Sequence, residues 1–341
     1  MTTEIHTGVC YRPATLEDAG PIAEFSNRML REAAGVDILN EEEIAASWRA
    51  GGFSLERDSR IAALDGHPVA AIELWDTRAP HVSKYVWLGV DPDIYGRGIE
   101  DELLRWCIDE ARARFDRSPE GARITLRSMI YERDRLSREV LERAGFQPVR
   151  TFYDMQIELA EPPAAPRLSD GLQVRVMRPD EERAVYEAHH DAFRDHWGFV
   201  EGDPEQEFPR FWADRRQWQF YTPETLYVAV IDDEVVGYSL CEPHTVEDSE
   251  MGWVGILGVR RAWRGRGVGM ALLTHSFHDL YGHGCRRVGL LVDGQNLTGA
   301  TRLYERAGMH IHLRRTQLEL ELRPGTDLST RTLTTNGDSI S

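Results

Sequence analysis

Residues 260–269, RRAWRGRGVG, hold four arginines and three glycines. They lie between a short, almost wholly apolar stretch, GWVGILGV (252–259), and a run with helical apolar spacing. Strand, glycine-rich loop and helix together make a phosphate-binding layout. The first N–H groups of a helix have no internal partner, and the helix dipole favours an anion at that end. Glycines let the backbone approach a ligand closely, because no Cβ intervenes. Arg260, Arg261, Arg264 and Arg266 would then neutralise charge at the rim. The stretch is not the dinucleotide-binding fingerprint, and it lacks the Lys-Ser/Thr of a P-loop. The competing reading is a tight turn with a solvated basic face.

This basic spot belongs to an acidic chain. The 341 residues include 40 basic and 57 acidic side chains, a formal net charge of −17. Such a charge argues against nucleic acid and anionic membranes as partners, so an anionic ligand must be held by local groups against the global field. Hydrophobic residues at 41% and charged residues at 28% describe a globular chain, and the length suits two domains. No apolar run reaches the roughly 20 residues that span a bilayer. The start, MTTEIHTGVC, lacks a signal-peptide pattern. Cys10, Cys107, Cys241 and Cys285 are scattered, with no metal-ligand spacing. These features predict reduced thiols, a cytoplasmic location and no metal.

The elements that must position the loop occur twice. LGVDPDIYGRGIEDELL (88–104) matches LGVRRAWRGRGVGMALL (257–273), and LERAGF (141–146) matches LYERAGM (303–309). YRPATLED (11–18) likewise matches VRVMRPDE (174–181), with Arg12 opposite Arg175. The spacing predicts domains over 1–160 and 172–322, a Pro/Ala-rich linker over 161–171 and a disordered tail over 323–341. In the second unit a helix is expected over 183–197. A hairpin of strands follows over 225–232 and 234–243, turning at Asp232-Asp233, and then a central strand over 252–259. Beyond the loop come a helix with Leu273, Phe277, Leu280 and Tyr281 on one face, a buried strand over 286–293, a helix over 298–308 closed by Gly308, and a strand over 310–322.

With that order in place, the second unit resembles the GCN5-related N-acetyltransferase (GNAT) family. The family's R/Q-x-x-G-x-G/A loop is matched by Arg264, Gly267 and Gly269. Its Asn before a Tyr-bearing helix is matched by Asn296 and Tyr304 in QNLTGATRLYERAGM. The fold implied is mixed α/β, with two tandem GNAT-like domains, each a splayed mixed sheet flanked by helices. Two such units in one chain resemble tandem acetyltransferases of the mycothiol synthase kind, although no motif fixes that substrate. The resemblance implies acetyl-CoA binding by Leu257, Gly258, Val259, Arg264, Gly265, Arg266, Gly267, Val268, Gly269, Met270 and Asn296. Backbone N–H groups around Leu257 to Val259 would polarise the thioester carbonyl. Tyr304 would protonate the departing thiolate, since a phenol of pKa ~10 can serve a thiolate of pKa ~8.5. Alternatively Tyr304 is a packing residue, and Asn296 is either a ligand contact or a helix cap.

An attacking amine must be neutral, so a carboxylate should accept its proton. Where family members often place a Glu this strand has Trp253, leaving Glu250 and Glu242 as substitutes, with Glu250 preferred; either also reads as a solvated edge charge. His196 and Trp197 fall in the acceptor-side wall, as substrate contacts or as a structural pair. The first unit departs from the pattern: Tyr95, Gly98 and Glu100 align with Arg264, Gly267 and Gly269, and Leu141 with Tyr304. It reads as a degenerate copy. The expected function is acetyl transfer from acetyl-CoA to a small-molecule amine by direct attack in a ternary complex in the second unit. The acidic surface suits a cationic amine such as an aminoglycoside or polyamine. The alternatives are a silent acyl-CoA-binding module and a protein or peptide N-acetyltransferase.

Overall fold

The computed structural model describes residues 8–331 apart from 36–38, 50, 167, 170, 217–220, 246–247 and 297–298. Two compact units result, and neither is contiguous in sequence. Unit 1 takes residues 1–151 and 313–327; unit 2 takes 152–312 and 328–341.

Unit 1 contains β1 (Val9–Arg12), α1 (Ala19–Ala34), α2 (Glu41–Trp48), α3 (Leu55–Asp58), β2 (Ser59–Leu64), β3 (His67–Trp75), β4 (Ser83–Val90), α4 (Ile99–Ala113), β5 (Ile124–Tyr131) and α5 (Arg135–Arg143). Next comes β6 (Gln147–Glu158), whose residues from Phe152 onward belong to unit 2. Unit 2 continues with β7 (Gln173–Val176), α6 (Glu182–Phe193), α7 (Pro204–Arg216), β8 (Leu226–Ile231), β9 (Glu234–Glu242), β10 (Met251–Val259), α8 (Val268–Gly282), β11 (Arg287–Asp293) and α9 (Ala300–Arg306). The last strand, β12 (His310–Arg323), passes into unit 1 at Leu313.

The sheet of unit 1 runs β1-β2-β3-β4-β5-β12, and that of unit 2 runs β6-β11-β10-β9-β8-β7. All neighbours pair antiparallel except β4 with β5 and β10 with β11, which are parallel. Each sheet is covered on both faces. In unit 2, Leu272, Phe277 and Leu280 of α8 pack with Val288 and Leu290 on one face. Val185 of α6 and Trp212 of α7 pack with Val228 and Leu240 on the other. A fully buried leucine such as Leu272 contributes roughly 1.5–3 kcal/mol through its removal from water.

The local signals repeat with the sequence. Arg12 grips Asp18 with two bonds of 2.7 Å, and Arg175 grips Glu181 at 2.8 and 2.6 Å. Asp232 and Asp233 both hold positive φ, 48° and 62°, as the two-residue hairpin turn requires. The ERAG segments close α5 and α9 identically: Phe146 N–H reaches Leu141 O and Met309 N–H reaches Tyr304 O, both at 3.0 Å. One expectation is corrected at the C-terminus. Residues 324–331 are tied down, because Thr326 N–H bonds Gly121 O at 2.8 Å and Thr330 N–H bonds Phe199 O at 2.7 Å. The rest of the expected tail, 332–341, lies outside the described residues.

Candidate active site

The loop before α8 is built by two left-handed glycines, Gly265 (φ 75°) and Gly267 (φ 86°), the second being the helix N-cap. A Cβ on either would meet nothing within 4 Å, so the glycines answer to backbone conformation, and the space beside them is open. Gly269 is different: its Cβ would come 3.2 Å from Leu303, which sets how closely α8 approaches α9. Ala271 N–H bonds Gly267 O at 3.0 Å, leaving the earlier N–H groups, those of Val268 and Met270 included, without helical partners.

Three of the four loop arginines have acidic partners within the chain. Arg264 turns back to α6, bonding Asp195 at 3.0 Å and the Ala192 carbonyl at 2.7 Å. Arg261 holds Asp191 through its backbone N–H at 2.7 Å and its Nε at 3.0 Å. Burial pushes the Asp191 carboxyl up, but these Arg261 bonds outweigh it and hold the group below its ordinary range. Arg260 lies 3.3 Å from Glu234 and 3.7 Å from Glu187. Arg266 alone of the four pairs with no acidic side chain among the described residues; it is exposed and rests over the Trp263 ring at 4.9 Å. Arg264, expected at the phosphate, is here engaged by Asp195 and a carbonyl, bonds that fasten the loop.

Beyond the loop the sheet opens. β10 and β11 pair only at Met251–Arg287, Gly252–Val288 and Trp253–Gly289, although both strands continue. The β9–β10 register slips between Val254 and Ile256, a bulge at the point of separation. From there β10 is held by β9 alone, so backbone groups along Leu257, Gly258 and Val259 border an unpaired gap. Gly258 packs beneath α6, where a Cβ would sit 2.9 Å from Phe193.

Tyr304 of α9 is buried in the cluster that contains Val268, Val288 and Leu290. Burial pushes its phenol up to about 12, and its hydroxyl makes no hydrogen bond among the described residues. Asn296 lies in the turn after β11, its N–H bonding Asp293 O at 3.0 Å. It does not cap α9, because Gly299, with φ 78°, is the N-cap.

Glu250 is exposed in the turn before β10, at the end where β10 and β11 remain paired. Its carbonyl accepts the Arg286 and Arg287 N–H groups, which places Glu250, the preferred base of the sequence reading, at the paired end of the strands. Glu242 is the cross-strand partner of Trp253 at the apex of the gap. Partners share a face, so these two side chains are neighbours. Gln156 pairs with Gly289 and Asp154 with Leu291, which brings two nearly buried polar residues of β6 to the same region. Sequence reasoning missed both, because β6 reads as the last strand of the first repeat. It also missed His189, whose Nδ1 lies 2.7 Å from the Tyr238 hydroxyl. The rings of His196 and Phe193 lie 4.5 Å apart, tilted by 54°, and the Arg331 guanidinium lies over Trp197 at 4.8 Å.

Unit 1 keeps the loop and fills it. Gly96 (φ 81°) and Gly98 (φ 85°) repeat the backbone, and β4 pairs with β5 only from Ser83 to Tyr85. Glu100, 1% exposed, folds back so that the Gly96 N–H donates to its carboxylate at 3.0 Å. Tyr95, in the place of Arg264, gives its hydroxyl to Leu136 O. Leu141, in the place of Tyr304, is buried in the core. Among the described residues no helix is long and apolar enough to cross a membrane, and no cluster of metal-ligating side chains occurs.

A splayed mixed sheet with a glycine-rich turn opening a helix at the gap is the architecture expected of the acetyltransferase class. The acetyltransferase (GNAT) family model matches residues 183–309. The mycothiol acetyltransferase of Thermobispora bispora is 30% identical over 288 residues, covering 81% of this chain and 88% of that protein. That of Catenulispora acidiphila is 25% identical, covering 90% and 96%. A GCN5-related N-acetyltransferase from Sphaerobacter thermophilus superposes with a TM-score of 0.79 at 32% identity, over 95% of this chain and 98% of that one. A tandem GNAT protein from the clavulanic acid biosynthesis pathway shares the fold, with a TM-score of 0.71 at 17% identity over 93% and 99%. The chain belongs to the GNAT family, as an N-acetyltransferase with tandem GNAT-like domains.

Proposed function

We propose that the protein transfers an acetyl group from acetyl-CoA to the primary amine of a small molecule, by direct attack, in unit 2. The observation that carries this is the contrast between two like-shaped loops. A Cβ would meet nothing within 4 Å at Gly265 and Gly267 or at Gly96 and Gly98, but in unit 1 the Gly96 N–H is already taken by the Glu100 carboxylate, and no side chain among the described residues takes an N–H of 265–270 in this way. The N–H groups of 265–270 and Arg266 suit a pyrophosphate, and bound acetyl-CoA would supply the activated thioester. The amine nitrogen forms a bond to the thioester carbonyl carbon and the carbon–sulfur bond breaks. Backbone N–H groups of β10 polarise the carbonyl, Tyr304 gives its proton to the departing sulfur, and Glu242, directly or through water, takes the amine proton.

The relatives' name brings an amine of the mycothiol type to this chain as one acceptor class, and Glu242 and Asp154 near the apex suit a positively charged acceptor. Thiol release from acetyl-CoA across a panel of small cationic amines tests this reading. Turnover with at least one supports it. Tight acetyl-CoA binding with no turnover for any amine would mean a silent acyl-CoA-binding protein instead.

A further inference from the structure

Unit 1 carries a group of residues that its filled loop does not explain. Glu73 of β3 is 8% exposed, and its two oxygens accept the indole N–H groups of Trp48 at 2.6 Å and Trp75 at 2.8 Å. Among the described residues no lysine, arginine or histidine pairs with it. Other buried carboxylates of this unit do carry cations: Asp76 has Lys84 at 2.8 Å, Asp58 has Arg114 at 2.6 Å and Glu319 has Arg127 at 2.9 Å. A buried charge answered only by neutral donors is costly, and burial pushes this carboxyl's pKa up although the two indoles pull it down.

The surroundings are aromatic. Trp87 is the cross-strand partner of Glu73, and Tyr85 is that of Trp75, so all four side chains share one face of the sheet. Phe53 stacks on Trp75 with ring centroids 4.2 Å apart. From buried Trp48 the group opens through half-buried Trp75 and Trp87 to Tyr85, which is 38% exposed. Ring faces attract poorly hydrated organic cations, whereas hard metal ions need several oxygen ligands.

We propose that unit 1 binds a small organic ammonium ion here, with Glu73 as its counter-charge and the faces of Trp75, Trp87 and Tyr85 as its walls. The proposal is independent of catalysis in unit 2, and its test uses neither acetyl-CoA nor turnover. Tetramethylammonium chloride, which cannot be acetylated, is titrated into the ¹⁵N-labelled full chain while the indole N–H resonances of Trp48 and Trp75 are followed. Both should shift saturably, and sodium chloride or tert-butanol at equal concentration should leave them in place. Glu73→Gln should abolish the response. Trp87→Leu, which retains both indole–carboxylate bonds, should weaken it at least fivefold and decides the matter if Glu73→Gln does not fold. No saturable shift, equal shifts with sodium chloride, or unchanged binding by Trp87→Leu would overturn the proposal.

Discussion

Tyr304→Phe removes one oxygen atom and keeps the ring that packs among Val268, Val288 and Leu290. If that hydroxyl protonates the leaving thiolate, turnover should fall by roughly 10²-fold or more, while acetyl-CoA affinity and melting temperature stay nearly constant. Because burial raises the phenol to about 12, Tyr304 keeps its proton throughout pH 6 to 10. Thiol release by the wild type should therefore show no alkaline decline from this residue in that window; a fall centred near the ordinary phenol value of about 10 that Tyr304→Phe abolishes would contradict the effect of burial on this phenol. The arginines separate in the same way. Arg266→Ala should weaken acetyl-CoA about 10-fold or more while sparing a pantetheine thioester that lacks the phosphates. Arg264→Ala should weaken both donors alike and lower the melting temperature by roughly 2–4 °C, because it unfastens the loop from α6. Equal behaviour of the two variants in calorimetry would show that the division is wrong. From the sequence the four arginines read as equivalent. Their partners Asp191 and Asp195 lie some seventy residues earlier, so only folding reveals which guanidinium is left for a ligand.

Among the elements, strand, loop and helix were legible because each rests on local chemistry: glycine at positive φ, an apolar strand, a helix with one buried stripe. Gly265 and Gly267 occupy the positions those rules require. The gap itself was not legible in composition, since β10 and β11 are both short apolar strands; only register shows where they part. Nor was the neighbourhood of the candidate base, because Glu242 meets Trp253 through strand pairing and not through proximity in sequence. The strands β6 and β12 carry similar alternation, so pattern alone does not say which sheet each completes. Structure assigns Phe152–Glu158 to β11 and Arg315–Arg323 to β5. A fragment starting at Leu172 therefore lacks the strand beside β11 and the buried Met155 and Leu159, each worth roughly 1.5–3 kcal/mol. It should aggregate or melt without cooperativity in size-exclusion and circular-dichroism measurements. A monomeric fragment with the melting temperature of the full chain would contradict this assignment.

At the scale of the whole molecule, the loop N–H groups of one repeat are left for the proposed ligand, whereas in the other Glu100 bonds the loop at Gly96. In a chain of net charge −17, three of the four loop arginines are paired with Glu187, Asp191, Asp195 and Glu234, which leaves Arg266 and the backbone N–H groups for the proposed ligand. Gly267→Glu would impose on unit 2 both a side chain at positive φ and a carboxylate beside the helix N-terminus, in the manner of Glu100 in unit 1. The central claim, a single acetyl-CoA site in unit 2, is tested most directly by isothermal titration of acetyl-CoA into the full-length wild type and Gly267→Glu. The account predicts one site per chain in the wild type and no measurable binding in the variant. Two equivalent sites, or a variant that binds as well as the wild type, would contradict it.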